Sequence, residues 1–364
     1  MKFLQIAVLL LLPFFAFGQY QFKDEIKLDC SNIKNQQMTG TCWSFSTTSF
    51  LESELLRTGK KPVNLSEMYS VRKTYEDKAR NYVLRQGKAN FSEGSLAHDV
   101  MNTVKFHGMM TEEAYPGLLP GDKALNHGEL VSTLKAYLDA VVKTGRPGPH
   151  WQEAVSGILD AYMGEVPETF TYQGKTYDAR SFAAAMNIKP KEYVHLTSFT
   201  HHPFNEHFIL EIPDNYSNGM FYNVPLDEMM QAVDNALAGG YSVEWDGDVS
   251  EKGFSQSKGI AVLPENSREK DLFSGPVKEV LPTQELRQML FENYKTTDDH
   301  LMHVMGKAKD QNGTNYYIIK NSWGEMGPYS GYLYMSEAFF RMKTVSVTIH
   351  EDALPKTIVN ALEE

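Results

Sequence analysis

One thiol, one imidazole and two side-chain amides have the types and the order along the chain that acyl transfer requires. Cys42 lies in Gln36-Gln-Met-Thr-Gly-Thr-Cys42-Trp-Ser-Phe, where a glycine-containing segment turns into a helix. Unpaired N–H groups and the helix dipole at such a start favour a thiolate, the form that attacks a carbonyl. Gln36, six residues earlier on the incoming loop, is placed to fold back and bind a developing oxyanion together with the Cys42 backbone N–H. Far along the chain stand His303-Val-Met and Lys320-Asn321-Ser-Trp-Gly324. An amide that accepts one imidazole N–H orients the ring and leaves the other nitrogen to face the thiol. Asn321 is read in that role, with His303 as base and Trp323 shielding their hydrogen bond. The attack and release this set can perform require no metal and no organic cofactor.

These side chains meet only if particular elements form. Residues 40–59 read as one helix, with Phe45, Leu51 and Leu55 at helical spacing and Gly59 as its stop. Ser44 and Ser46 to Ser49 are small enough to let neighbouring backbone come close. Segments 64–86, 95–107, 129–144, 151–163, 178–187 and 226–238 also read as helices. Towards the C-terminus the period shortens, and His303–Lys309, Asn315–Lys320, Tyr332–Met335 and Thr344–His350 read as strands. Asp310-Gln-Asn-Gly313 joins the first two as a hairpin, which is expected to carry His303 and Asn321 towards each other. His300 is the rival base. It is expected on the loop before the strand, and the His-x-Met agreement with the hairpin geometry favours His303. The pattern predicts an α+β, two-lobe architecture with a helical N-terminal lobe, an antiparallel β lobe and a cleft between them.

Gln36, Cys42-Trp43, His303 and Asn321-Ser-Trp-Gly324 resemble the papain-like cysteine peptidases, whose corresponding positions supply oxyanion donor, nucleophile, base and orienting amide. Cys42 and His303 are 261 residues apart, against about 130–150 in papain and the cathepsins. That length, with Pro167-Glu-Thr-Phe-Thr171, Val243-Glu-Trp-Asp-Gly-Asp-Val249 and Asp298-Asp-His-Leu-Met-His303-Val-Met, is similar to the bleomycin hydrolase and aminopeptidase C branch. The resemblance implies a papain-like fold, with a barrel-like β lobe and an insertion over roughly 120–240, within a peptidase domain of residues 19–364. It implies a Cys-His-Asn aminopeptidase acting on peptide N-termini, often as a ring-shaped homohexamer.

Two departures from the branch stand out. Relatives carry a Gly-Gly pair alongside the substrate, and the matching substrate-binding place here is Glu93-Gly94-Ser95, where Ser95 replaces the second glycine and is expected to narrow the cleft. In relatives the chain continues past a last helix as an arm that enters the cleft, whereas this sequence ends at Ala361-Leu-Glu-Glu364. An endopeptidase or broader peptidase is therefore the alternative mode. An inactive peptide-binding homologue and a transglutaminase-like acyl-transfer enzyme are the rival classes. The intact four-residue set argues against the first, and Asn rather than Asp beside the base argues against the second.

The remaining signals bound the reading. The 364 residues carry a formal charge of −11 and only two cysteines. This excludes a disulfide scaffold and argues against nucleic acid as a partner, because counterion release needs a cationic face. Lys2, an apolar run from Ile6 to Phe17 and the small residues Ala16 and Gly18 read as a secretory signal cleaved near Gly18-Gln19, too short to span a bilayer. The expected product is an exported protein, periplasmic or secreted, with peptide substrates and no membrane attachment after cleavage. His201-His-Pro-Phe-Asn-Glu-His207 reads as a polar loop or strand lining the cleft rather than a metal site, since Pro203 argues against a helical display of ligands. Cys30 reads as a free buried thiol. Asp246 and Asp248 read as turn residues, with attraction of a substrate amine as the alternative, and Glu67 and Glu76 read as solvated.

Overall fold

The structure, a computed structural model, describes residues 19–266 and 271–363. The expected export signal, residues 1–18, lies outside the described residues, as does Glu364.

Strand β1 (Phe22–Lys27) leads to helices α1 (Cys42–Arg57), α2 (Glu67–Leu84) and α3 (Ala97–Phe106). Helices α4 (Gly128–Lys143) and α5 (Trp151–Met163), the hairpin β2 (Phe170–Tyr172) and β3 (Lys175–Tyr177), and α6 (Ala179–Met186) follow. Next come β4 (Tyr193–Thr197), β5 (Glu206–Ile209), β6 (Met220–Asn223), α7 (Leu226–Ala238), β7 (Val243–Gly247), β8 (Phe254–Ser255), β9 (Ile260–Ala261) and α8 (Gln284–Glu292). The chain closes with β10 (His300–Asp310), β11 (Asn315–Lys320), β12 (Tyr332–Ser336), α9 (Glu337–Lys343), β13 (Thr344–His350) and α10 (Lys356–Glu363).

Ordinary amphipathic spacing builds most helices. Leu130, Leu134, Leu138 and Val141 form the buried stripe of α4, and Val155, Leu159 and Met163 that of α5. Helix α1 differs, being buried from Cys42 to Leu55. Its small side chains let it pass between α2, α3 and β10, and their hydroxyls bond to what they touch: Ser44 Oγ to the Glu67 carbonyl at 2.8 Å and Ser49 Oγ to His303 Nδ1 at 2.9 Å.

Among the described residues, one sheet runs β5-β6-β4-β13-β7-β10-β11-β12-β9-β8, with β1 added along β10. It is antiparallel except for the pairs β4–β6 and β9–β12. The α+β class with a helical N-terminal half is as expected. The barrel-like closure is not formed, because β5 and β8 end the sheet without pairing to each other. Residues 120–240 supply α4 to α7, and also β4, β5 and β6 of the main sheet. One core, with Phe50, Tyr75, Leu134 and Phe182, fills the helical half, and a second, with Val233, Trp245, Val304 and Phe340, lies between the sheet, α7 and α9. Ile358 of α10 packs into this second core. No described helix is long and apolar enough to cross a membrane.

Several local expectations are corrected. Strand β10 begins at His300, three residues before the expected start, because His300 pairs with Gly247 of β7. Asp246 lies within β7 rather than in a turn. Glu67 is buried and ion-paired to Lys34 at 2.5 Å rather than solvated. Cys30 is a free thiol as expected, but only half-buried, with Sγ 3.0 Å from Tyr332 Oη.

Candidate active site

Cys42 is the first residue of α1, where the helix leaves the Gln36–Thr41 loop. Side chains of that loop tie it together. Thr39 Oγ1 donates to the Gln36 carbonyl at 2.8 Å, and Gln36 Nε2 donates to the Thr39 carbonyl at 2.7 Å. Lys34, just upstream, is held by Glu67 and by the Leu65 carbonyl. Gln36 and Cys42 line a cleft of about 800 Å³ together with Trp43, Glu93, Gly94, Ser95, Asp214, Asp298, His300 and Trp323.

The histidine in this cleft is His300. Its Nε2 lies 2.8 Å from Asn321 Oδ1. The amide's orientation is set by its neighbours, since the Ser322 N–H donates to the same oxygen at 2.7 Å and Asn321 Nδ2 donates to Gln256 Oε1 at 2.8 Å. Asn321 can therefore only accept from His300, so Nε2 carries the proton and Nδ1 keeps its lone pair. The Trp323 ring covers His300 with centroids 4.7 Å apart. Ser322 Oγ donates to Gln36 Oε1 at 2.7 Å, which ties the loop before Cys42 to the strand end after Asn321.

His303 does not reach this cleft, and its expected contact with Asn321 is not formed. The cause is a β-bulge. From Gly306 to Lys309 the ladder pairs Ile318 to Asn315, a register that, continued, would set His303 across from Asn321. At Met305 one extra residue enters β10, and His303 pairs with Lys320 instead. The bulge falls where the other edge of β10 changes partner, from β7 along His300–Val304 to β1 along Gly306–Asp310. The Met305 carbonyl accepts the Leu28 N–H at 2.9 Å, and Gly306 has no room for a side chain against the Ile26 carbonyl. Lys320 and His303 then share one face, on which both bond Ser49 Oγ, and Asn321 falls on the other face with His300. His303 is 0% exposed, and burial with the nearby Lys320 charge holds its pKa well below the usual value.

Burial also dominates the electrostatics of the cleft. It pushes the Cys42 thiol up to about 12, while hydrogen bonds from the backbone of Leu301 and Trp43 pull the other way. It pushes His300 down to about 4, partly offset by the bond to Asn321. Each group taken alone is thus neutral. A thiolate formed at Cys42 would lie at the helix N-terminus, which favours negative charge.

The wall formed by Glu93 and Gly94 is held by the Trp43 indole, which donates to the Glu93 carbonyl at 3.0 Å, and by Lys78, whose Nζ bonds the Ser92 carbonyl at 2.9 Å and that of Gly94. Ser95 does not narrow the cleft with its hydroxyl, which turns away to Asp99 Oδ2 at 2.6 Å. Elsewhere, His201 and His202 converge on Glu211. Gln288 Nε2 lies 3.0 Å from His201 Nδ1 while its Oε1 accepts the Thr200 N–H, so His201 keeps its proton on Nε2 and donates it to the carboxylate.

Residues 151–364 match the peptidase C1-like family, and residues 20–135 match the papain family of cysteine proteases. The chain belongs to the peptidase C1-like family. It is a cysteine-type peptidase of the aminopeptidase C and bleomycin hydrolase branch. Aminopeptidase C of Listeria innocua is 25% identical over 385 residues, covering 93% of this chain and 84% of the relative. Human bleomycin hydrolase is 20% identical over 401 residues, covering 95% and 86%. The crystal structure of PepW from Lactobacillus rhamnosis shares the fold, with a TM-score of 0.74 at 18% identity over 94% of this peptidase and 84% of that chain.

Proposed function

We propose that this peptidase cleaves peptide bonds with Cys42 as nucleophile and His300 as general base and acid, and that it acts as an aminopeptidase. The observation that carries the site is the 2.8 Å contact of His300 with Asn321 in the cleft that Cys42 lines from a helix N-terminus. His300 Nδ1 takes the thiol proton, and Sγ adds to the peptide carbonyl. The Cys42 N–H and the second Nε2 hydrogen of Gln36 stabilise the oxyanion. The imidazolium then protonates the departing amine, leaving a thioester. Water, deprotonated by the same nitrogen, adds to the thioester and releases the acid and the thiol. The aminopeptidase mode is supported by relatives named aminopeptidase C, W and G.

The test is product analysis by mass spectrometry on unblocked peptides, before and after alkylation of Cys42 with iodoacetamide. Stepwise release of N-terminal residues that alkylation abolishes is expected. Cleavage of internal bonds at equal rates would remove the aminopeptidase mode, and turnover that survives full modification of Cys42 would remove the mechanism.

A further inference from the structure

The acidic side chains of the cleft have no part in the chemistry above. Asp214 and Asp298 line it with Cys42 and His300. Asp298 lies two residues before the base, and the charged groups acting on it are all carboxylates, Asp246, Asp214 and Asp299. Behind it stands Asp246, 1% exposed on β7 and fixed by pairing with Leu301. Ser346 Oγ donates to Asp246 Oδ2 at 3.2 Å, but Asp246 Oδ1 and Asp298 Oδ2 are both buried without a donor. The two carboxyl groups interact directly. Groups so close cannot both ionise, and they share one proton. Burial and mutual repulsion raise both carboxyls well above the ordinary value, with Asp298 donating the shared proton to Asp246, so a cation beside Asp298 in the cleft would draw the pair towards its ionised form.

Asp214 adds to this field. Its carboxylate lies against Gly94, where an added Cβ would collide with it, and Asn90 and Ser92 hold its Oδ1 at 3.1 and 3.3 Å. The cation acting on it is Lys78, whose own Nζ is engaged by the Ser92 and Gly94 carbonyls. Burial, the largest influence on it, nevertheless raises the Asp214 carboxyl, because charge is costly to bury. Asp298 and Asp214, the carboxyls that line the cleft with Cys42, leave a place for a cation that arrives with the substrate.

We propose that Asp298, backed by Asp246 and flanked by Asp214, is the specificity determinant that receives an ammonium or guanidinium group of the peptide next to the scissile bond. Its source is either a free α-amino terminus or a lysine or arginine side chain. The inference rests on the Cys42–His300 site proposed above and deepens it. Charge on Asp298 or Asp214 opposes ionisation of Cys42, and a bound cation cancels that field.

The experiment compares kcat/KM of the full chain on matched peptides. One pair differs by acetylation of the α-amine, the other by lysine against acetyl-lysine at the residue preceding the cut. Wild type is expected to favour the charged member of at least one pair by about tenfold or more, and the pair that responds identifies the source. Asp298→Asn is expected to bring that ratio towards one. Asp214→Asn, expected to lower the ratio in the same direction, serves if the first variant does not fold, with iodoacetamide titration of Cys42 counting intact sites. Ratios near one in wild type, or a wild-type ratio retained by a correctly titrating Asp298→Asn, would overturn the proposal. Charge-blind hydrolysis by wild type that Cys42→Ala abolishes removes this inference alone and leaves the peptidase site standing.

Discussion

His300 Nε2 meets Asn321 Oδ1 at 2.8 Å because the ladder between their strands slips by one residue at Met305. Side chains alternate faces along a strand, so a single extra residue exchanges everything beyond it between the two faces of the sheet. The slip places one imidazole in the cleft and buries the other against α1.

Replacing the two histidines separately divides chemistry from packing. His300→Ala should lower kcat/KM by about 10²–10⁴-fold, the usual worth of a general base. His303→Ala should keep kcat/KM within about tenfold and instead lower Tm, since loss of a buried hydrogen-bonded group costs about 1–3 kcal/mol. Fluorogenic-peptide kinetics with thermal unfolding checks both, and the opposite pattern would return the base role to His303.

Graded losses are expected around the nucleophile. Cys42→Ala should abolish turnover. Asn321→Ala should lower kcat by about 10²-fold through misorientation of the ring, and Gln36→Ala by a similar factor through loss of an oxyanion donor. Steady-state kinetics on one peptide orders the three, and near-wild-type rates for Cys42→Ala and Asn321→Ala would refute the assignment.

Gly94→Ala should reduce kcat/KM by about tenfold or more. The added methyl meets the Asp214 carboxylate, and relief requires a shift of the wall that Lys78 and Trp43 hold. Combining it with Asp214→Ala, which removes the obstructing carboxylate, should restore the stability lost in Gly94→Ala, as read from Tm.

Stability should fall as pH rises from about 5 to about 8.5, and Glu244 should account for part of the fall. Burial raises this fully buried carboxyl from 4.5 to about 8, against smaller opposing hydrogen bonds from Thr348 and Ser46. The folded state therefore holds the proton more tightly than the unfolded chain. The associated stability is complete below the unfolded value and is lost as pH climbs through the folded one. Glu244→Gln should lose less Tm over this range than wild type, and identical slopes would contradict the assignment.

Much of this arrangement is legible in the residues. Regular spacing announces α5 and α7 at the observed bounds, and Asn-Gly after Asp310 announces the hairpin. The motif around the histidine is ambiguous for a simple reason, since His300-Leu-Met302 and His303-Val-Met305 both read His-x-Met. One signal was available. Gly306 in the interior of a strand marks a bulge or a close backbone approach, and here it accompanies both. Glu67 and Asp246 are buried against expectation because a charged side chain does not by itself reveal that another element covers it.

The order of residues along the chain determined the chemistry on offer: a thiol at a helix start, a loop amide before it, and imidazoles and an amide on paired strands. Those are local properties, set by turn, cap and period. Which imidazole the amide would hold, and that Asp298 would rest against a buried Asp246, only the tertiary structure decided. Both depend on how β1 and β7 divide one edge of β10, a pairing between segments far apart in the chain whose register is settled by packing rather than by neighbours in sequence.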